Sequence, residues 1–456
     1  LVYGKWKIKT TLLKQLMIVG ILELNSSITY GKSSRNITKY LFRPFDKTLG
    51  LCVVGCSRID RTSNILALIT VENWEKTKLS NGILVEIIGN CGDKIAEENA
   101  LLYHYAIRPW KKFKEIINVP EFKDDNFISG YSFNVDPEGC LDIDDTILLG
   151  EDGYIYIVIA DVYSWINNNE KCFEIASKIG QTLYKDGKII APLLPFQEEV
   201  SLLPGKKRRG IALKFKWNNE ITDISFTKIT FINNESFTYE SIYKSKFSKL
   251  LKDITSYLAQ KNITDSHEWI EQLMIFYNCE AAKILLRKQK GYLRAQESPD
   301  KLETFKKYGV DLEILANKSA KYVVPSKDAI HYGLQKIYCH ATSPIRRFVD
   351  IINQMNLVED KEFNCDIDIL NKRSSQSKKY ERDLFFLRKI MEPTRITYGT
   401  ILSDHRIWIP EWKKIITCKN TSNVGTYGKV IYSVDMNQSS WKSRLVFRFE
   451  DINYQE

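Results

Sequence analysis

No apolar run in this chain of 456 residues approaches the roughly 18 residues that a membrane-spanning helix needs. The longest uncharged stretches, LMIVGIL from Leu16 and YIYIVIA from Tyr154, are far shorter, so a soluble protein is expected. The run near the N-terminus lacks a small-residue cleavage site, which argues against a signal peptide. The first residue is Leu1 rather than Met, which leaves room for a missing N-terminal segment. The nine cysteines, an odd number, contain no CxxC pair and no Cys/His cluster with zinc-ligand spacing. A disulfide framework and a zinc module are therefore not expected, and reduced thiols in an intracellular protein, cytoplasmic or nuclear, are. Internal repeats and low-complexity tracts are missing as well.

What is present is an ordinary globular composition, 44% hydrophobic and 27% charged, in a chain long enough for two to four domains. Lysine and arginine number 66 against 56 aspartates and glutamates, and the net charge of +10 suits a polyanionic partner without requiring one. Up to about Lys114, short strand-like runs (LGLCVVGC, NILALITV, GILVEIIG) alternate with turn chemistry and read as a small β-barrel or sandwich. A polar break, EFKDDNFISG, leads into a region that mixes strand and helix patterns. Its clearest helix starts at Asp265, where D-S-H-E resembles a capping box and apolar residues from Trp269 to Leu285 recur at helical spacing, with Gly291 as its stop. From about Arg395 the chain returns to short strands (RIWIPEW, KKIITC, GKVIYSV, RLVFRF), so the expected order is β, then α/β, then β.

The segment FNVDPEGCLDIDD sets Asp136, Asp142, Asp144 and Asp145 within ten residues. Two ionised carboxylates about 5 Å apart repel by roughly 3 kcal/mol at an effective dielectric of about 20. A hard divalent cation with oxygen ligands offsets that repulsion. Pro137 and Gly139 mark a turn that folds Asp136 back toward the other three. An acidic surface loop is the plain alternative, but the acids here are interleaved with Leu141, Ile143, Ile147 and Leu148, which belong in a core. A calcium-binding EF-hand loop does not fit, because Ile147 stands where its glycine is needed.

A second constellation, HYGLQKIYCHATSPIRRFVDIINQMNL, begins at His331. Ser343 followed by Pro344 predicts a helix start, with Arg346 and Arg347 in the first turn beside free N–H groups, as a phosphate clamp. The competing expectation is a structural pair between Arg346 and Asp350 at i,i+4. His331 and His340 are expected to be ordinary hydrogen-bonding histidines.

Taken together, these segments resemble the RNB family of exoribonucleases. The shared motifs are DPEGCLDIDD and IADV, then APLLP and VSLLPGKKR, then HYGL followed by TSPIRRF, in the family's order between Phe133 and Leu357. The resemblance implies an α+β multidomain fold. An N-terminal OB or cold-shock-like region (1–114) precedes a central α/β RNB nuclease domain (115–394) and a C-terminal small OB-type barrel (395–456). It implies a two-metal Mg²⁺ site, with Mn²⁺ as a substitute, on Asp136, Asp142, Asp144 and Asp145, and Arg346 on the scissile phosphate. Arg347 is the basic residue beside it. Tyr184, in TLYKDGK, matches a tyrosine that packs on the RNA 3′ end, Tyr239 a second channel tyrosine, and Glu271 a carboxylate near the terminal nucleotide. Core packing is the alternative for both tyrosines.

The implied activity is hydrolytic 3′→5′ degradation of single-stranded RNA to nucleoside 5′-monophosphates, alone or within an exosome-like or other RNA-decay complex, with no membrane partner. Three positions depart from the family pattern: Val158 replaces the histidine of VHIADV, and Gln354 and Met355 replace a His-Arg pair. These bear on RNA grip more than on chemistry. The alternatives are an RNB-like RNA-binding protein impaired in catalysis, and a DNA exonuclease using the same metal chemistry.

Overall fold

The computed structural model describes residues 17–73, 79–106, 126–166, 169–298, 318–359, 363, 365–419, 423–435, 438 and 443–451. It divides into two compact units, one formed by residues 1–106 with 378–456 and the other by residues 107–377. The first half of the expected polar break EFKDDNFISG, residues 121–125, and the boundary at 114 lie outside the described residues.

In the first unit, β1 (Ile18–Leu22), β2 (Lys39–Pro44), β3 (Cys52–Gly55), β4 (Ile65–Asn73) and β5 (Ser80–Asn90) close into a barrel in the order β1-β2-β3-β5-β4. Pleating sends Ile65, Ala67, Ile69 and Val71 of β4 inward onto Leu22, Phe42 and Val54. The alternate residues Leu66 and Leu68 meet Ala96 and Ala100 of helix α1 (Lys94–Tyr105) outside the barrel. Burial on both sides explains why NILALITV carries no polar alternation. Asp93 caps α1 by accepting from the Ala96 N–H at 2.8 Å.

The central unit is built on a six-stranded sheet in the order β12-β11-β8-β7-β6-β13. Its strands are β6 (Gly130–Val135), β7 (Asp145–Gly150), β8 (Ile155–Ala160), β11 (Lys207–Trp217), β12 (Ile221–Ile232) and β13 (Glu235–Phe237). A hairpin of β9 (Leu183–Lys185) and β10 (Lys188–Ala191) stands apart. Strand β8 is covered on both faces. Tyr156, Val158 and Ala160 pack toward α2 (Tyr163–Ile166), α3 (Glu170–Ile179) and α7 (Phe348–Val358), beside the short α4 (Gln197–Val200). Ile157 and Ile159 pack toward α5 (Ser248–Ala259) and α6 (Ser266–Lys288). Small pairs, β14 (Leu293–Ala295) with β15 (Lys321–Val323) and β16 (Ile330–His331) with β17 (Lys336–Ile337), complete the unit.

Helix α6 starts as its sequence predicts, with the Asp265 side chain accepting from the His267 N–H at 3.0 Å. It stops at Lys288 rather than at Gly291, because Gln289 takes the left-handed conformation (φ 54°) and caps it. Gly291 (φ 72°) follows where a side chain would run into Asn353.

Helix α8 (Ile367–Met391) carries the boundary between the units. Where a small C-terminal barrel is expected, the described residues form a five-stranded antiparallel sheet, β20-β19-β18-β21-β22. Its strands are β18 (Ile396–Ser403), β19 (Arg406–Ile409), β20 (Lys414–Thr417), β21 (Tyr427–Val434) and β22 (Leu445–Asp451), with no pairing of β20 to β22 among the described residues. None of the nine cysteines is bridged, and no described helix is long and apolar enough to cross a membrane.

Within the first unit, Arg444 donates to Glu97 of α1 at 2.8 Å, both side chains buried, and Glu97 also accepts from the Gly92 N–H. Removing one partner strands a buried charge. Arg444→Met is therefore expected to cost about 3–5 kcal/mol in urea unfolding, and adding Glu97→Gln should recover much of that loss. A cost below about 1 kcal/mol would mean that water relieves the pair.

Candidate active site

All four aspartates lie at one end of two central strands. Asp136 follows β6, Asp142 and Asp144 occupy the connecting loop, and Asp145 opens β7. Strands β6 and β7 pair only from Gly130↔Gly150 to Phe133↔Ile147, so they part before the loop begins. The Cys140 N–H closes the expected turn on the Pro137 carbonyl at 3.1 Å, with Gly139 at φ 75°. The Asp136 N–H donates to the Phe237 carbonyl and the Ala160 N–H to that of Asp144. Ile143 is buried, its N–H donating to Ser201 Oγ at 2.9 Å. Its insertion into the core leaves Asp142 and Asp144, its neighbours on either side, at the site.

Burial sets the electrostatics. Asp144, only 6% exposed, is pushed up to about 7 by burial, against the opposing pull of Arg346 and of the Ile345 N–H, which donates to its Oδ1 at 2.9 Å. Ionising such a group costs about 4 kcal/mol more than ionising it in water. Asp136 is also raised, by burial and then by Asp142, although Asn134 Nδ2 donates to its Oδ2 at 2.8 Å. Asp145 is held well above the usual carboxylate range by burial and by the charges of Asp136 and Asp144.

Among the described residues, no three Asp, Glu, His or Cys side chains already converge at ligating distances. Asp142 Oδ2 accepts from the Tyr184 hydroxyl at 2.5 Å and its Oδ1 from the Cys140 thiol at 3.5 Å, while Asp144 faces Ile345 and Arg346. The donors nevertheless fit a hard divalent cation. They are all carboxylate oxygens, the charge of Asp142 raises Asp136 and those of Asp136 and Asp144 raise Asp145, and a cation would relieve the cost of ionising them.

The arginine segment differs from its expected form. Helix α7 begins at Phe348 with Arg347 as its N-cap, not at Ser343 and Pro344. Ser343 does not cap a helix: its Oγ accepts from the Arg346 side chain (Nη2, 2.9 Å) rather than from a backbone N–H, and its own N–H donates to Asp350 Oδ1 (2.7 Å). Its carbonyl accepts from the N–H groups of Arg346 and Arg347, so the segment is a turn. It is stitched to the strand before Tyr184 by Thr182 N–H to Arg346 O and Phe348 N–H to Gly180 O, both 2.9 Å.

The two arginines separate. Arg346, its side chain 47% exposed, brings Nε to 3.4 Å from Asp144 Oδ2. Arg347, 16% exposed, is paired with the fully buried Asp350 at 2.8 Å. Asp350 is thus paired with Arg347 rather than with Arg346, and Arg347, expected on RNA, lies in a buried ion pair. Burial lowers the basicity of Arg347, but Asp350 more than restores it.

Tyr184 is half-buried on β9 and points its hydroxyl at Asp142. Tyr239 stacks on His267 of α6 with ring centroids 3.8 Å apart, and its phenol is pushed up to about 12 by burial and by Asp136 and Asp145. Glu271 is exposed on α6, one turn beyond His267. His340 is kept neutral by burial and by Arg347 and Arg294, and its ring meets the Tyr322 hydroxyl at 2.9 Å, an ordinary hydrogen-bonding histidine as expected. Gln354 is buried, reaching the carbonyls of Ala160 and Ala341.

Two residues went unnoticed in the sequence. Asn134 holds Asp136 and is itself held by Asn233 and Ser236 across strands, and Arg294 lies over the Tyr322 ring at 4.4 Å. Ser343, expected as a helix cap, holds Arg346 instead.

The central unit and the N-terminal barrel both match known families. The RNB domain family matches residues 125–249 and 242–359, and the Dis3-like cold-shock domain 2 (CSD2) family matches residues 39–106. The chain belongs to the RNB family. It is 26% identical over 383 residues to ribonuclease R of Buchnera aphidicola subsp. Schizaphis graminum, covering 62% of this chain and 53% of that protein. It is 24% identical over 443 residues to human exosome complex exonuclease RRP44, covering 74% of this chain and 46% of that one. The chain therefore spans about half the length of these curated relatives. Its fold is similar to Mycoplasma genitalium RNase R, solved with ribose-methylated single-stranded RNA (TM-score 0.73, 15% identity, 95% of this chain and 89% of that). It is similar also to yeast Ssd1, a pseudonuclease (TM-score 0.64, 16% identity, 96% and 69%).

Proposed function

We propose that this protein is a Mg²⁺-dependent hydrolytic 3′→5′ exoribonuclease that releases nucleoside 5′-monophosphates from single-stranded RNA. The observation that carries the reading is the gathering of Asp136, Asp142, Asp144 and Asp145 at the ends of β6 and β7, with the half-exposed Arg346 on Asp144. The four aspartates would hold the metal, which when bound supplies Lewis-acid stabilisation of phosphoryl and leaving oxygens and lowers the pKa of a water.

The chain's own groups do the rest. Arg346, released from Asp144, is placed to neutralise charge building on the phosphoryl oxygens. Arg347 and Ser343 fix the turn that aims it. Tyr239, beside His267 and within electrostatic reach of Asp136 and Asp145, offers a ring face near the acids, and Glu271 one turn along α6 offers an acceptor for a terminal ribose hydroxyl. Stacking on a π face is worth roughly 1–3 kcal/mol per base and tolerates any sequence. The 2′-hydroxyl is the group available for choosing RNA over DNA.

The test is incubation of matched 5′-labelled RNA and DNA oligonucleotides with Mg²⁺ or EDTA. The expected result is stepwise shortening of RNA from its 3′ end with Mg²⁺ only, with mononucleotide 5′-phosphates as product. Equal shortening of DNA would make it a DNA exonuclease. RNA that is bound but intact under every condition would make it a binding protein.

A further inference from the structure

Asp142 differs from Asp136 and Asp144 in what its carboxylate touches. Asp136 is held by an amide, and Asp144 by a backbone N–H and an arginine. Asp142 has a phenol on one oxygen at 2.5 Å and a thiol on the other at 3.5 Å. These two bonds are unequal. A phenol hydroxyl at that distance is a strong charge-assisted donor, and a thiol is a weak one. An incoming ligand therefore displaces the Cys140 contact and leaves the Tyr184 contact in place. The outcome is a carboxylate with Oδ2 fixed and Oδ1 available.

The phenol is itself well anchored. Tyr184 lies on β9, paired with Ile189 of β10, two residues after Thr182. Thr182 donates its N–H to the Arg346 carbonyl at 2.9 Å, and its Oγ1 accepts from the Leu193 N–H at 2.9 Å. The strand carrying the phenol is thereby bound to the turn carrying Arg346. Through Tyr184 the arginine turn and the acid loop, 201 residues apart at Ile345 and Asp144, are tied once more beyond the bonds of Ile345 and Arg346 to Asp144.

We propose that Tyr184 is a positioning residue for Asp142: its hydroxyl fixes one carboxylate oxygen so that the other serves a divalent cation. This goes beyond an RNA-stacking role for the ring, and it rests on the reading of the four aspartates as a metal site. Ligating carboxylates are commonly held by such outer hydrogen bonds, and losing one typically lowers metal affinity 10–100-fold.

A role in RNA stacking and a role in core packing both need only the ring, whereas the positioning role needs the hydroxyl. Tyr184→Phe keeps the ring and removes the hydroxyl. The experiment is titration of the full chain with Mn²⁺ alone, followed by electron paramagnetic resonance without RNA, on the wild type, Tyr184→Phe, Cys140→Ala and Asp144→Asn. Single-stranded RNA affinity in EDTA and melting temperature are measured on the same preparations. Tyr184→Phe is expected to weaken Mn²⁺ binding about tenfold or more, to leave RNA affinity within twofold, and to melt as a folded protein. Cys140→Ala is expected to change Mn²⁺ binding less than twofold. Unchanged or tighter Mn²⁺ binding by Tyr184→Phe would overturn the proposal, as would a larger loss in Cys140→Ala. Wild type that binds no Mn²⁺ displaceable by Asp144→Asn would overturn the metal reading, and the role of Tyr184 with it. Normal wild-type binding matched by Tyr184→Phe removes Tyr184 alone.

Discussion

Replacing Asp144 by asparagine is expected to lower RNA turnover more than about a hundredfold, the upper end of what losing an outer hydrogen bond to a metal ligand costs. Single-stranded RNA affinity, measured in EDTA, should stay within about threefold, because phosphate contacts and stacking carry most of it. The substitution is well posed structurally. Asparagine keeps the oxygen that accepts from the Ile345 N–H, so the loop should hold its path.

What it removes is a buried charge. Asp144 is raised to about 7 from 3.8, so its ionised form destabilises the metal-free protein fully above about pH 7, and the penalty fades as pH falls toward 4. In EDTA at pH 8, Asp144→Asn should therefore melt higher than the wild type, and the difference should shrink at pH 5. Asp136 and Asp145 are raised in the same direction and will keep part of that pH slope in the variant. Retention of more than a few per cent of wild-type turnover under saturating Mg²⁺ would remove Asp144 from the ligand set. An unchanged melting temperature at pH 8 would show that its charge is relieved by something other than a cation.

The acid loop was legible because its chemistry is local. Ten residues contain all four acids, the turn-forming Pro137 and Gly139, and the apolar Ile143 that anchors the loop. The strands of the barrel and helix α6 were legible for the same reason, since period and caps are written within a dozen residues. The helix expected at Ser343 starts at Phe348 instead, because Ser343 donates its N–H to the Asp350 side chain seven residues on and its hydroxyl accepts from that of Arg346 three residues on. The Ser-Pro signal marks a start, and these side-chain hydrogen bonds outrank it. Asn134 left no trace because its role depends on β13 lying parallel to β6, a pairing across about a hundred residues. Tyr184 was placed in the site by resemblance, but its partner was not. The phenol reaches Asp142 across 42 residues, and spacing cannot show which way a ring on a short hairpin turns.

The two adjacent arginines give the other large effect, and it separates them. Arg346→Lys is expected to lower turnover about a hundredfold with RNA affinity within threefold. Lysine keeps the charge but loses the planar fork that can hold Ser343 with one nitrogen while another faces a phosphate oxygen. Arg347 carries no such split. Its guanidinium is buried on Asp350, and Arg347→Met would leave a fully buried carboxylate unpaired, at a cost of about 3–5 kcal/mol in stability. Turnover per folded molecule should then fall far less than in Arg346→Lys, to the extent that the turn keeps its shape through Thr182 and Ser343. Kinetics and urea unfolding on both variants decide the assignment. Equal losses of affinity and turnover in Arg346→Lys would make Arg346 a plain RNA contact. A stable Arg347→Met with the larger turnover loss would move the phosphate clamp one residue along the chain, onto a side chain that would first have to leave Asp350.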